Sequence, residues 1–191
     1  MKRFYTTFLA LTLGNTVMAS DIEEPSFTLV DTVEKVELRD YQPSIQAVTQ
    51  LDHSGQTSAG FQRLAGFIFG GNETGEKIAM TAPVEETLEQ DQPVMAFTMP
   101  GEYELNDLPE PADDSVQIKS VPGRTMAAIQ FSGWATASKV DRNTRELIAT
   151  LEEHGIEAVG KPSLNQYNPP WTPPFLRRNE IMIEVELADE A

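Results

Sequence analysis

The chain has 191 residues and no cysteine. That removes disulfides, thiolate metal sites and a cysteine nucleophile. It also suits an oxidising compartment, where stray disulfides are best avoided. Histidine is scarce: His53 and His154 are the only two, and neither has a His or carboxylate partner at zinc-ligand spacing. No apolar run approaches the ~18 residues of a membrane span. Positive charge is also in short supply, with 14 basic residues against 30 acidic ones and a net charge of −16. Such a surface repels phosphate backbones, so nucleic acid is not an expected partner. The acids crowd Glu85 to Asp91 and Glu102 to Asp114, reading as solvated faces. No hydrolase elbow occurs, since Gln130-Phe131-Ser132-Gly133 lacks the first glycine of G-x-S-x-G. Glu85 and Glu86 are neighbours in an extended segment, which points them to opposite faces. Lys77 and Thr81 have no evident base beside them.

What remains is an ordinary globular composition, 40% hydrophobic and 23% charged. The length suits one domain with a real core. The first residues read as an export signal. Lys2 and Arg3 precede a short apolar stretch from Phe4 to Leu13, and Val17-Met18-Ala19 offers small or medium residues for cleavage. Residues 1–19 are therefore expected to be a signal peptide and residues 20–191 a single domain, periplasmic or secreted. Loss of Lys2 and Arg3 leaves 12 basic residues against 30 acidic, a net charge of −18.

The segment Tyr167 to Ile181 reads Y-N-P-P-W-T-P-P-F-L-R-R-N-E-I and holds four of the 13 prolines. Proline fixes φ and removes a donor, so this is neither helix nor central strand. It is a stiff, extended loop whose order costs little entropy. The loop presents Trp171 and Phe175, followed by Arg177 and Arg178. That array suits a flat, apolar, anionic ligand; the same aromatics also suit simple capping of the core.

Alternation of apolar and polar residues marks strands at Val36 to Arg39 and Ile45 to Leu51, broken at Tyr41-Gln42-Pro43. The pattern recurs 80 residues later at Val116 to Lys119 and Met126 to Phe131, broken at Pro122-Gly123. A helix follows each time. Phe61, Leu64, Ala65 and Ile68 share one helical face, and Gly70-Gly71 ends that helix. Val140, Leu147, Ile148 and Leu151 share another, with Ser138 and Asp141 as a cap and Gly155 as the stop. Two extended segments follow each helix: Lys77 to Val84 with Val94 to Met99, then Leu164 to Asn168 with Glu180 to Leu187. Residues Gly101 to Ser115 read as an acidic surface linker. The expected fold is α+β: two strand-helix-strand-strand repeats (about 33–100 and 116–187) packed into one curved, barrel-like surface with two helices outside. A groove where the halves meet is a common ligand position.

Several of these segments resemble motifs of the SOUL haem-binding family. Lys77-Ile78-Ala79-Met80-Thr81-Ala82-Pro83-Val84 looks like its K-I-x-M-T-x-P-V motif. Tyr41 with Pro43, Phe97 with Met99-Pro100, and Phe131-x-Gly133 fall in the family's order, and Tyr167 to Glu180 is similar to its closing motif. The resemblance runs from about Val33 to Leu187. It implies a distorted antiparallel β-barrel of two related strand-helix-strand-strand halves flanked by two helices, and non-covalent binding of haem or another porphyrin with no catalytic centre. It places the ligand against the first helix, with Phe61, Arg63, Leu64, Phe67 and Ile68, and against the closing loop, with Trp171 and Phe175. Met80 lies in the central motif, as core filler or as a site residue. Where some members carry a His before the Tyr41 equivalent, this chain has Asp40, a poor iron ligand. His53, in the loop before the first helix, is the remaining weak candidate for iron. His154 reads as a helix-end residue.

The expected function is a periplasmic haem or tetrapyrrole carrier or buffer. Two alternatives stay open: a hydrolase of small hydrophobic compounds on the same barrel, and a protein-interaction module using the aromatic loop.

Overall fold

A computed structural model describes residues 22–53, 57–88, 91 and 93–187. The expected signal peptide at 1–19 lies outside the described residues. In chain order the elements are β1 (Phe27–Val33), β2 (Val36–Tyr41), β3 (Ser44–Gln50), α1 (Thr57–Ile68), β4 (Val84–Thr87), β5 (Val94–Thr98), β6 (Val116–Val121), β7 (Arg124–Phe131), α2 (Ala137–Glu153), β8 (Glu157–Ala158), β9 (Ser163–Gln166) and β10 (Asn179–Glu186). The strands form one antiparallel sheet in the order β1-β2-β7-β10-β9-β4-β5-β3-β6, curled into a half-barrel, with β8 added to β10. The fold is α+β, as the pattern predicts.

The sheet order shows how the two repeats are combined. Exchanging β2, β3, β4 and β5 with β6, β7, β9 and β10 leaves the order from β2 to β6 unchanged when read backwards. A pseudo-two-fold axis therefore passes between β4 and β9, which pair through Val84↔Gln166 and Glu85↔Asn165. The first strand of each repeat is a broken pair. Gln42-Pro43 and Pro122-Gly123 interrupt the ladder, so β2 pairs with β7 of the other half, and β3 with β6. The two breaks cross closely. A Cβ on Gly123 would stand 3.1 Å from the Tyr41 carbonyl oxygen, so a side chain there would press on rigid backbone.

Three local readings shift. Lys77 to Thr81 is extended but makes only isolated bridges, at Phe69↔Lys77 and Glu23↔Thr81, and the regular strand begins at Val84. The N-cap of α2 is Thr136 rather than Ser138, with no side-chain capping bond. Residues 27–33 add a strand, β1, outside both repeats; its outer positions are mostly exposed, so no buried face marks it in the sequence. The glycine stops hold: Gly70 and Gly155 take φ of +105° and +66°, where side chains are strained.

Both helices pack on the same face of the sheet. Leu64, Phe67 and Ile68 of α1 bury against Ala47, Met95, Phe97 and Met99. Leu147 and Leu151 of α2 bury against Ala127, Ile129, Ile181 and Ile183. Alternation then sends Met126, Ala128 and Met182 to the other face, where Tyr41 joins them. Among the described residues, no helix is long and apolar enough to cross a membrane.

Phe67 is sealed under α1 at 1% exposure, whereas Phe69, just past the end of α1, is 62% exposed. Phe67→Ala should cost about 3–5 kcal/mol of unfolding free energy in denaturant titration. Phe69→Ala should stay within about 0.5 kcal/mol. Similar losses for both would show that Phe67 is not the buried side chain of the pair.

Candidate functional site

The closing segment is not extended throughout, as its prolines had suggested: Pro174–Leu176 form a 3-10 turn, which proline suits at its first position, and Asn179 to Ile181 already belong to the central strand β10. The loop proper, residues 167–178, joins β9 to β10 and is pinned from inside. Arg177 is 8% exposed. It donates to the carbonyls of Pro170 and Thr172 and stacks 3.8 Å over the Trp134 ring. Asn168 Oδ1 accepts the Arg178 backbone N–H at 2.6 Å. Asn179, at the start of β10, donates to the carbonyls of Phe131 and Gly133. With its backbone held this way, the loop leaves Trp171 83% and Phe175 76% exposed.

Both arginines of the loop have structural work, which corrects the expectation that they await an anion. Arg177 staples the loop. Arg178 pairs with Glu24 at 2.7 Å and lies 3.4 Å over the Tyr167 ring.

The helix residues expected at the ligand divide sharply. Leu64, Phe67 and Ile68 are 0–1% exposed in the core beneath α1 and offer no surface. Phe61 is 39% exposed, edge-on to Phe97. Arg63 donates to Thr49 Oγ1 and the Gln50 carbonyl, both at 2.9 Å. Thr49 and Gln50 pair with Met95 and Val94 at the start of β5, while the closing loop follows Gln166, aligned through Val84 with Phe97 near its end. Arg63 and the loop are therefore held at opposite ends of β5. Met80 is half-buried against the α1 core. His53 is exposed, and His154 Nδ1 lies 2.9 Å from the Thr150 carbonyl at the end of α2. Among the described residues no group of three metal-ligating side chains assembles.

Sequence reasoning missed a buried polar network beside the loop. Arg39 on β2 and Glu180 on β10 are 4% and 1% exposed. Two Arg39 nitrogens donate to the two Glu180 oxygens, at 2.7 and 3.2 Å. The strand between them, β7, presents Ala128 on that face, small enough to let the arginine cross. Arg39 also donates to Glu37 and to the Tyr41 hydroxyl. Tyr167 donates to Glu180 at 2.7 Å. Arg178 Nε lies 3.2 Å from the same carboxylate but makes no aligned hydrogen bond, so that contact is purely electrostatic. Burial alone would lower the Arg39 pKa, yet the Glu180 carboxylate holds it above its usual range. Burial, and then the Glu180 charge, push the Tyr167 hydroxyl far above 10; burial also raises Tyr41. The available signal was Arg39 itself, a cation between strand-patterned neighbours, facing an E in the closing motif.

Residues 22–184 match the SOUL heme-binding protein family. The chain belongs to that family. Heme-binding protein 1 of Bos taurus is 27% identical over 124 residues, covering 61% of this chain and 64% of the relative. Heme-binding protein 2 of Homo sapiens is 29% identical over 129 residues, covering 62% of each. The chain thus spans a little under two thirds of these relatives' length. Among solved structures, the EcmrR C-terminal domain aligns with a TM-score of 0.61 at 11% identity, covering 80% of this chain and 98% of that one. An uncharacterized conserved protein from Listeria innocua aligns with a TM-score of 0.62 at 12% identity, covering 80% and 92%. At such identity the likeness concerns the fold alone.

The network gives a pH signature. An unfolded tyrosine ionises near ~10, while folded Tyr167 stays protonated. Above that pH the unfolded state binds fewer protons, so stability is complete below pH ~10 and falls above it, by up to about 1.4 kcal/mol per pH unit for each such tyrosine. Tyr167→Phe should flatten this alkaline slope in denaturant titrations at pH 8 to 11. An unchanged slope would remove Tyr167 from the linkage.

Proposed function

We propose that the mature chain binds haem or a related tetrapyrrole without a covalent bond, as a carrier or buffer in the periplasm or another exported compartment. Membership of the SOUL heme-binding protein family across residues 22–184 carries this reading. The relatives named heme-binding protein 1 and 2 support it. The export part rests on the basic and apolar N-terminal pattern before Ala19.

The ligand surface in this proposal is the closing loop. Trp171 and Phe175 cover the macrocycle by apolar and stacking contact. Phe61 is the α1 residue with exposed aromatic surface to add. Leu64, Phe67 and Ile68 act indirectly, by holding α1 on the sheet. The chain's −16 charge opposes a dianionic ligand. Binding therefore draws on apolar contact more than on ion pairs, and tetrapyrroles with fewer free carboxylates bind better.

A Soret titration of the mature chain is the direct test. Saturation near one haem per chain is the expected outcome, and no spectral shift with any porphyrin would end the proposal. Trp171→Ala should weaken binding roughly 30-fold, since removing an aromatic hot spot typically costs about 2 kcal/mol. His53→Ala should leave affinity nearly unchanged. If Trp171→Ala instead lowers only the melting temperature, the loop is packing and not a binding surface. A Soret loss confined to His53→Ala would favour axial ligation.

A further inference from the structure

The tip of the closing loop, residues 169–176, satisfies most of its backbone from within. Pro169, Pro170, Pro173 and Pro174 have no N–H to donate. The Thr172, Leu176 and Arg177 amides donate to the carbonyls of Pro169, Pro173 and Pro174. The buried Arg177 side chain takes the carbonyls of Pro170 and Thr172. A loop in water does not need such closure, because solvent supplies partners. A loop that enters hydrocarbon does, since each unpaired backbone group is costly there.

The side chains on this backbone are apolar. Trp171, Phe175 and Leu176 stand largely exposed, and Trp134 of the β7–α2 loop joins them at 54% exposure. One guanidinium ties the two loops together, because Arg177 stacks on Trp134 while bonding the carbonyls on either side of Trp171. Both tryptophans of the chain therefore lie at this one pole. Tryptophan suits the level of lipid headgroups, with its apolar ring and single polar N–H.

Charge marks the same pole. The chain carries 30 acidic residues, yet segments 115–140 and 158–179 contain none. Trp134 lies in the first and the closing loop in the second. Beside the loop, Glu180 is buried with Arg39 and Glu24 is paired with Arg178. Exposed acids resume at Asp141, inside α2, and at Glu34 on the β1–β2 turn. A bilayer without net charge meets little repulsion here, while the chain's net charge of −16 opposes an anionic one. A protein partner would find few open backbone groups at the tip for the hydrogen bonds that protein interfaces carry.

We propose that the pole formed by Trp134, Trp171, Phe175 and Leu176 docks onto the interface of a zwitterionic lipid bilayer, inserting the loop tip without spanning the membrane. Docking places the proposed tetrapyrrole surface against the phase in which an apolar ligand dissolves. The inference does not need that reading, because lipid contact is a property of the ligand-free chain.

The test mixes the ligand-free mature chain with dioleoylphosphatidylcholine vesicles. The chain should float with the vesicles, and its tryptophan emission should shift to the blue. In Trp134→Phe, which leaves Trp171 as the sole tryptophan, phosphatidylcholine brominated in its acyl chains should quench that emission. Phe175→Glu should weaken partitioning about tenfold or more, the worth of burying one such ring. Val159→Glu, exposed beside Glu184 near the other end of β10, should leave partitioning unchanged. Binding should persist at high salt and should not tighten when dioleoylphosphatidylglycerol is added. Circular dichroism and melting temperature check that each variant is folded. No flotation of the parent chain would overturn the proposal, as would full binding by Phe175→Glu. Binding that requires phosphatidylglycerol and is lost in salt would also overturn it. A blue shift that grows with protein concentration, without vesicles, would assign the pole to a second copy of the chain instead. Haem binding lost with vesicle binding intact would count only against the tetrapyrrole reading, and the reverse only against docking.

Discussion

The Arg39–Glu180 pair is the constraint around which the rest of the open face is arranged. Both groups are almost fully buried, and each would be costly alone in a low-dielectric interior. Together they satisfy one another, and the remaining acceptor and donor capacity goes to Tyr167, Tyr41 and Glu37. The pair joins β2 of the first repeat to β10 of the second across β7. Ion pairing thus sets how the halves meet, in a place where apolar contact alone would tolerate sliding. Arg178, stacked on Tyr167, extends this network to the N-terminal segment through Glu24.

The two faces of the sheet divide the labour. Beneath α1 and α2 the sheet is filled by Leu, Ile, Val, Phe and Met in two clusters, one under each helix, and each takes a strand from the other repeat, β6 under α1 and β2 under α2. This is where stability resides, and it explains why most of the apolar stripe of α1 is withheld from any ligand. The opposite face has no helix on it among the described residues. It collects Met126, Ala128 and Met182 beside charged and hydroxyl groups. Polar satisfaction there comes from crossed ion pairs rather than from a cover of secondary structure.

The closing loop works on a third principle. Proline stiffens it in the unfolded chain, and Arg177 completes the job in the folded one by donating inward to the loop's own carbonyls. Trp171 and Phe175 stand exposed on this hydrogen-bonded backbone. Ligand contact on such a surface loses less entropy than contact with a mobile loop.

Period-two alternation at Val36 and Val116, helical spacing at Phe61 and Leu147, and glycine stops at Gly70 and Gly155 are local signals. They were enough to determine α+β and two like halves 80 residues apart. These properties depend on neighbours within a few residues, where side-chain direction and φ preference act directly. The strand β1, with little buried face, left no such mark. The sequence also could not say which repeat each strand would join. Breaks at Gln42-Pro43 and Pro122-Gly123 send β2 and β6 to the opposite half, and pairing at that range is chosen by the whole sheet. Nor could it say that Arg39 would meet Glu180, 141 residues away, or that Phe67 would be sealed while Phe61 kept an exposed edge. Long-range charge pairing and the choice of buried face are properties of the assembled sheet, because burial and dielectric exist only once the chain has closed on itself.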